Sequence, residues 1–394
     1  MNSGTRISSI DVFRALTMFV MIFVNDLWTL KDIPGWLQHT AADFDGMGLA
    51  DTVFPAFLVV MGMSIPFAIK NRLSRGHSHI KILKHIAARS FALMVIGLFT
   101  VNFPLLNNKA TGMNKSWFEI FTVTAFFLIW NMYPKIEGSR KYFYRGLQIA
   151  GAILLLVLAL IYRGQGENNG EIVPLQPRWW GILGLIGWTY LVNATLYLFL
   201  QKSVLLLFLS WLAFTLFNIA GHAGVFGTNE VFIGNGAFHA FTFAGILGAI
   251  FLQNFRQKQE KMVKFLSYIS LAGVLFIVVG LFLRNFFIIS KIYATPPWIF
   301  ICTGISFIVF AIVFLVVDLK KKEHYFTFIK AAGTSTLTCY LLPYIYYGFA
   351  DLYKLNLPDW LHHGVIGIIK SILFSILIIW ITSFLEKLKI RIKI

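Results

Sequence analysis

Residues 265–284 read FLSYISLAGVLFIVVGLFLR, with no charged side chain before Arg284. A helix of about 20 residues rises roughly 30 Å, the thickness of a bilayer's hydrocarbon core. Runs of similar character recur from end to end. They predict spans near 13–30, 52–69, 86–104, 117–134, 147–162, 180–200, 203–220, 237–253, 265–284, 297–317, 326–349 and 363–385. The composition agrees. Hydrophobic residues are 58% of the 394 and charged residues 13%, against roughly 25% charged in a soluble domain. The expected fold is an all-α polytopic membrane protein of about 10–12 transmembrane helices, one domain over 1–394.

Basic residues set the direction. Lys and Arg of the N-terminus, 70–89, 135–145, Lys202, 256–264, 320–330 and 387–393 number 25, against 8 in the alternate connections, with Lys370 inside the last span. Basic loops mark the cytoplasmic side, so both termini are expected there. The net charge of +17 is thus shared among short loops, and nucleic acid is not an expected partner. Arg6 and Arg14 precede an apolar stretch without a small-residue cleavage site, so the start reads as a retained span. Cys302 and Cys339 both fall inside apolar runs and suggest neither a disulfide framework nor a metal site.

Polar groups in or beside spans carry the information, because each is costly in hydrocarbon. The densest set lies between Ile7 and Ser64. Ser8 and Asp11 suit a capping box, and Asp11 can pair with Arg14 at i, i+3. A fixed Arg14 at the cytoplasmic entrance also suits an anionic ligand. Asn25 and Asp26 close the first span. A loop with His39, Asp43 and Asp45 follows, and then Asp51, which reads structurally as an N-cap. His39 read alone is a solvated loop histidine. His239 lies within a span, where a proton relay, a polar cavity and an interhelical hydrogen bond are the alternatives. His77, His79 and His85 read as solvated residues of a basic loop.

The ordered pattern Ser9-x-Asp11-x-Phe13-Arg14, Phe23-Val24-Asn25, His39, Gly48-x-x-Asp51-Thr52-Val53-Phe54-Pro55 and Gly62-Met63-Ser64-Ile65 resembles the heparan-α-glucosaminide N-acetyltransferase family and its bacterial relatives. The core of the resemblance is 6–70. Ser290-Lys291-Ile292-Tyr293-Ala294-Thr295-Pro296-Pro297-Trp298 and Thr336-Leu337-Thr338-Cys339-Tyr340 are looser matches. Ala15 replaces the family's Gly, and Trp117-Phe118-Glu119-Ile120-Phe121 departs from its Leu-Gln-Arg-Ile segment.

The resemblance implies a transmembrane acyltransferase of the bacterial inner membrane. Cytoplasmic acetyl-CoA would be the co-substrate, and a sugar amine or hydroxyl on the outer side the acceptor. It makes His39 the catalytic histidine and Asn25 an active-site residue. Acyl-transfer chemistry assigns the roles: His takes the nucleophile's proton or carries the acetyl group, and the Asn amide donates to the carbonyl oxygen. Asp51 is the preferred carboxylate to orient His39, with Asp43 and Asp45 as alternatives. Arg14 and Asp11 are assigned to acetyl-CoA binding. No metal is expected. The partners are acetyl-CoA, a saccharide acceptor and the lipid bilayer, and the sequence leaves a homodimer open. The competing readings are a secondary transporter or flippase of sugars, and a non-catalytic assembly partner.

Overall fold

The computed structural model describes residues 7–134, 138–168, 170–226 and 234–394. Arg6 and Lys135 of the basic-residue count lie outside these. The described residues form fourteen α-helices: α1 (Ser8–Asp26), α2 (Leu49–Ser74), α3 (His79–Asn102), α4 (Asn108–Thr111), α5 (Lys115–Trp130), α6 (Ser139–Ile161), α7 (Gly181–Leu200), α8 (Val204–His222), α9 (Ala237–Gln257), α10 (Met262–Leu283), α11 (Pro296–Phe314), α12 (Lys330–Thr334), α13 (Thr336–Leu352) and α14 (Gly364–Lys387). The only paired strands among them are β1 (Gly164–Gln165) and β2 (Ile172–Val173), an antiparallel ribbon in the α6–α7 connection.

Alternate connections gather at two ends, as reversal of direction at each long helix requires. At one end Lys31 N–H donates to His362 O (2.7 Å), Asn107 N–H to Arg163 O (2.9 Å) and Gly46 N–H to Ile289 O (3.0 Å). At the other, Ser9 N–H donates to Asp318 Oδ2 (3.3 Å) and Met132 N–H to Arg391 O (2.9 Å). Among the described residues, nine helices are long and apolar enough to cross a membrane unaided. Helices α1, α5 and α13 run between the same two ends but are more polar or shorter, α5 having 16 residues and α13 having 17. The chain is an all-α polytopic membrane protein.

Burial separates inner from outer helices. The apolar windows of α2, α9 and α11 are 67% buried within the protein, those of α6 and α10 only 17%. Leu271, Val274, Val278 and Leu281 leave α10 with an exposed apolar face, as lipid contact allows. Helix α2 packs chiefly on α9, α3 on α7 and α10 on α11. The first of these contacts requires glycine. A Cβ on Gly62 would lie 2.0 Å from Thr242 O, and one on Gly245 would lie 2.0 Å from Val59 O.

Three local expectations change. The predicted span 326–349 is interrupted: a 3-10 turn (Glu323–Ile329) and the short α12 precede a break at Ser335, whose φ of −129° and ψ of 45° leave the helical region. Ser8 and Asp11 form no capping box. Ile7 is the N-cap of α1 without a side-chain hydrogen bond, and Asp318 supplies an acceptor to Ser9 instead. His85 is not simply solvated, since its Nε2 lies 2.5 Å from Arg72 Nη2.

Candidate active site

Helix α1 ends at Asp26 and α2 begins at Leu49 on the same end of the bundle, and the loop between them carries His39. Asp51 is the third helical residue of α2 and not its N-cap. The N-cap is Gly48, and the Asp51 carboxylate reaches back to accept the Gly48 N–H at 3.0 Å. Gly48 must be small for this turn, because a Cβ there would lie 1.9 Å from Gln38 O. The same carboxylate accepts the Thr40 N–H and hydroxyl, each at 3.1 Å, and meets His39 Nδ1 at 2.7 Å. Its own carbonyl accepts Trp298 Nε1–H at 3.1 Å. Asp51 is thus a wholly buried hub around which the His39 loop is folded.

The partner that sequence reasoning passed over is Lys291, counted there only as one basic residue among the outer eight. Its Nζ is 3.6 Å from Asp51 Oδ1 and 3.0 Å from His39 Nδ1. Burial pulls the Lys291 ammonium below lysine's ordinary value, and the Asp51 carboxylate opposes that pull. The signal was the loosely matching segment 290–298. Ser290 Oγ–H donates to Ala42 O at 2.7 Å, and Lys291 and Trp298 both reach Asp51. That segment buttresses the His39 loop from the α10–α11 connection.

Asp45 does not orient the imidazole. It accepts Ile289 N–H at 2.8 Å and Arg284 Nε–H at 2.9 Å, pinning the loop to the same connection. The Ile289 N–H and Arg284 hold its carboxyl below the usual aspartate range, against a smaller upward push from burial. Asp43 is exposed. With the Nδ1 proton donated to Asp51, the second ring nitrogen of His39 keeps a lone pair.

His39 and Asn25 line one cavity of about 1130 Å³, with Ser116, Glu119, Tyr344 and Asp351 on other parts of its wall. The Asn25 amide makes no protein hydrogen bond among the described residues, and the residue is exposed. The lining extends along α13 from Asp351 to Tyr340, about 16 Å of helical rise. Tyr340 is one turn from that helix's opposite end. Behind Asn25, Asp26 is buried against Lys370 Nζ (2.7 Å), Ser371 Oγ (2.5 Å) and the Tyr347 hydroxyl. Lys370, which stood alone inside the last span, therefore has its counter-ion.

Arg14 and Asp11 are not brought to this cavity. They sit at the other end of α1, Arg14 about 16 Å of helical rise from Asn25. Arg14 pairs with Asp11 at 3.1 Å and donates to Ser64 Oγ at 2.6 Å, tying α1 to α2. Asp11 lines a separate cleft of about 130 Å³ beside Glu323 and Lys330. His239 makes the interhelical hydrogen bond among its alternatives, with Nδ1 2.9 Å from Asn193 Oδ1, and stacks on Phe214.

The fold and site define a polytopic membrane protein with a carboxylate–imidazole pair at the edge of a large cavity that opens at one end of the bundle. The chain belongs to the family described as Domain of unknown function (DUF5009), which it matches over residues 6–218. It is also similar to heparan-alpha-glucosaminide N-acetyltransferase of Homo sapiens, 38% identical over 101 residues, covering 25% of this chain and 14% of that protein. The Mus musculus protein of the same name is 37% identical over 105 residues, covering 26% and 15%. The match spans about a seventh of the length of these curated relatives.

Proposed function

We propose that the chain is a transmembrane acetyltransferase that moves an acetyl group from cytoplasmic acetyl-CoA to an amine or hydroxyl of a saccharide on the outer side. The observation that carries this reading is His39, held by Asp51 at 2.7 Å and lining the same cavity as the Asn25 amide. The partial identity to two N-acetyltransferases supports the reaction class. The unequal basic residues support a cytoplasmic basic end with both termini there, and the resemblance to bacterial relatives is the ground for a bacterial inner membrane. The whole of 1–394 acts as one acyltransferase domain around the 6–70 core.

In the transfer, the acceptor nitrogen or oxygen forms a bond to the thioester carbonyl carbon. His39 takes the nucleophile's proton on its second nitrogen, and Asp51 stabilises the imidazolium. The Asn25 amide donates to the oxyanion. Collapse expels the CoA thiolate, which takes up the proton. The acetyl group can also rest on His39 between two such steps. Arg14, oriented by Asp11 at the basic end of α1 and outside this cavity, attracts the CoA phosphates.

The test uses purified protein in proteoliposomes with labelled acetyl-CoA and glucosamine-like acceptors. Label on the acceptor, lost in a folded His39→Ala protein, is the expected result. Normal transfer by folded His39→Ala removes this mechanism. Sugar uptake without label identifies a transporter, and absence of acetyl-CoA binding an assembly partner.

A further inference from the structure

The wall of the cavity away from His39 has a charge character of its own. Glu119 is 8% exposed, yet it lines the cavity and makes no hydrogen bond among the described residues. Its nearest cation is Lys115 Nζ, at 3.9 Å from Oε1 and itself 44% exposed at the cavity mouth. Asp351 lines the same wall and accepts the Ser116 hydroxyl, which fixes its direction. Ser116 and Glu119 are one turn apart on α5, and Asp351 comes from the facing end of α13. The cavity therefore presents two carboxylates against one partly solvated lysine.

A carboxylate inside a membrane protein is costly unless it is paired. Asp26 shows how this chain satisfies one: a lysine at 2.7 Å and two hydroxyl donors. Glu119 is also buried, though less completely, and lacks such a set. The missing partner is a cation or hydrogen-bond donor that arrives in the cavity. A ligand bearing carboxylates or sulfates would meet like charge there, and like-charge juxtaposition is a strong means of rejecting a partner.

We propose that Glu119 and Asp351 set the charge class of the acceptor, so that the cavity takes a saccharide carrying a protonated amine and turns away acidic saccharides. This rests on the acetyltransferase reading for the word acceptor, and Glu119 and Asp351 are binding and specificity residues, distinct from the His39 machinery. Glu119 lies in segment 117–121, a stretch that departs from the family the chain otherwise resembles, and Asp351 comes from α13.

The test separates binding from turnover. Purified protein without acetyl-CoA is titrated with two disaccharides of equal size. One is made of two glucosamine units, the other of one glucosamine and one uronate. The expected result is binding of the first at least tenfold tighter, with Glu119→Gln reducing that ratio at least fivefold and Asp351→Asn reducing it further. Glu119→Asp, which keeps the charge, retains part of the preference. In the acetylation assay the same variants raise KM for the basic acceptor more than they lower kcat.

Equal binding of the two sugars, tighter binding of the uronate, or an unchanged ratio in a folded Glu119→Gln protein overturns the proposal. Selective binding without acetyl transfer sustains the charge selection while removing the acetyltransferase reading. Transfer without charge selection does the reverse.

Discussion

At the residue scale, His39 and Asp51 are a pair with unequal burdens. The His39 side chain is half exposed and makes its one close carboxylate contact with Asp51, whose side chain is 1% exposed. Replacing His39 by Gln is expected to cost no more than about 1 kcal/mol of stability, the scale of one hydrogen bond, while abolishing acetyl transfer. Asp51→Asn is expected to do both kinds of damage. The amide cannot accept from His39, Thr40 and Gly48 together. An unsatisfied buried polar group costs about 1–3 kcal/mol, and a misoriented base loses on the order of 10²- to 10⁴-fold in kcat. Paired melting and single-turnover measurements on the two variants check the contrast, and equal stability losses would count against the hub role of Asp51. Asp45 gives a pH signature in the same loop. Its carboxyl is held below the usual aspartate range, so the ionised form stabilises the folded loop at and above that range. The contribution is lost as pH falls through the lowered folded value. Protection of the Ile289 amide from hydrogen exchange, taken relative to its intrinsic rate at each pH, should therefore fall in acid in the native protein, and Asp45→Asn should show the low protection already at neutral pH.

At the element scale, contacts between helices decide whether the site exists at all. Helix α2 presents Asp51 at one end and Gly62 in its middle, where α9 comes too close for any side chain. Gly62→Ala is expected to destabilise the bundle by about 1–3 kcal/mol through forced separation of α2 and α9. Gly248→Ala, whose Cβ would find Met63 Cε at 3.5 Å, should be tolerated. Thermal unfolding in detergent distinguishes them. Helices α1 and α14 are joined differently, by Asp26 and Lys370. Removing only the cation leaves a buried charge, so Lys370→Met is expected to cost about 3–5 kcal/mol, and Asp26→Asn in the same chain should recover most of it. The first contact left only a glycine inside a motif as its trace in the sequence, with nothing to name α9 as the partner. The second was not legible, because Asp26 and Lys370 are 344 positions apart and hydropathy shows only that each is out of place.

At the scale of the whole molecule, what the sequence made legible is what depends on local composition. Apolar runs gave the helices, and the alternation of Lys and Arg divided their ends. The wall of the cavity was beyond such reading, since Asn25, Glu119, Tyr340 and Asp351 come from three helices far apart in sequence and no period links them. Lys291 was hidden for the same reason, although its segment carried a faint resemblance. The break at Ser335 was missed because hydropathy does not register a backbone angle. The division of ends has a consequence that can be tested without substrate. Catalysis across a membrane needs the cavity mouth and the basic end to face different compartments. Asn356 lines the mouth, Lys258 lies at the basic end, and both are exposed. The two native cysteines, Cys302 and Cys339, are buried and free, so they contribute little background labelling. In intact cells a membrane-impermeant maleimide is expected to label Asn356→Cys at once and Lys258→Cys only after permeabilisation. Labelling of both from outside would mean that the segment α10 to α13 does not make an odd number of crossings. The reverse order would put His39 in the compartment of acetyl-CoA, leaving the polar cavity, Asn25 and the acceptor on the cytoplasmic side and removing any transmembrane step from the reaction.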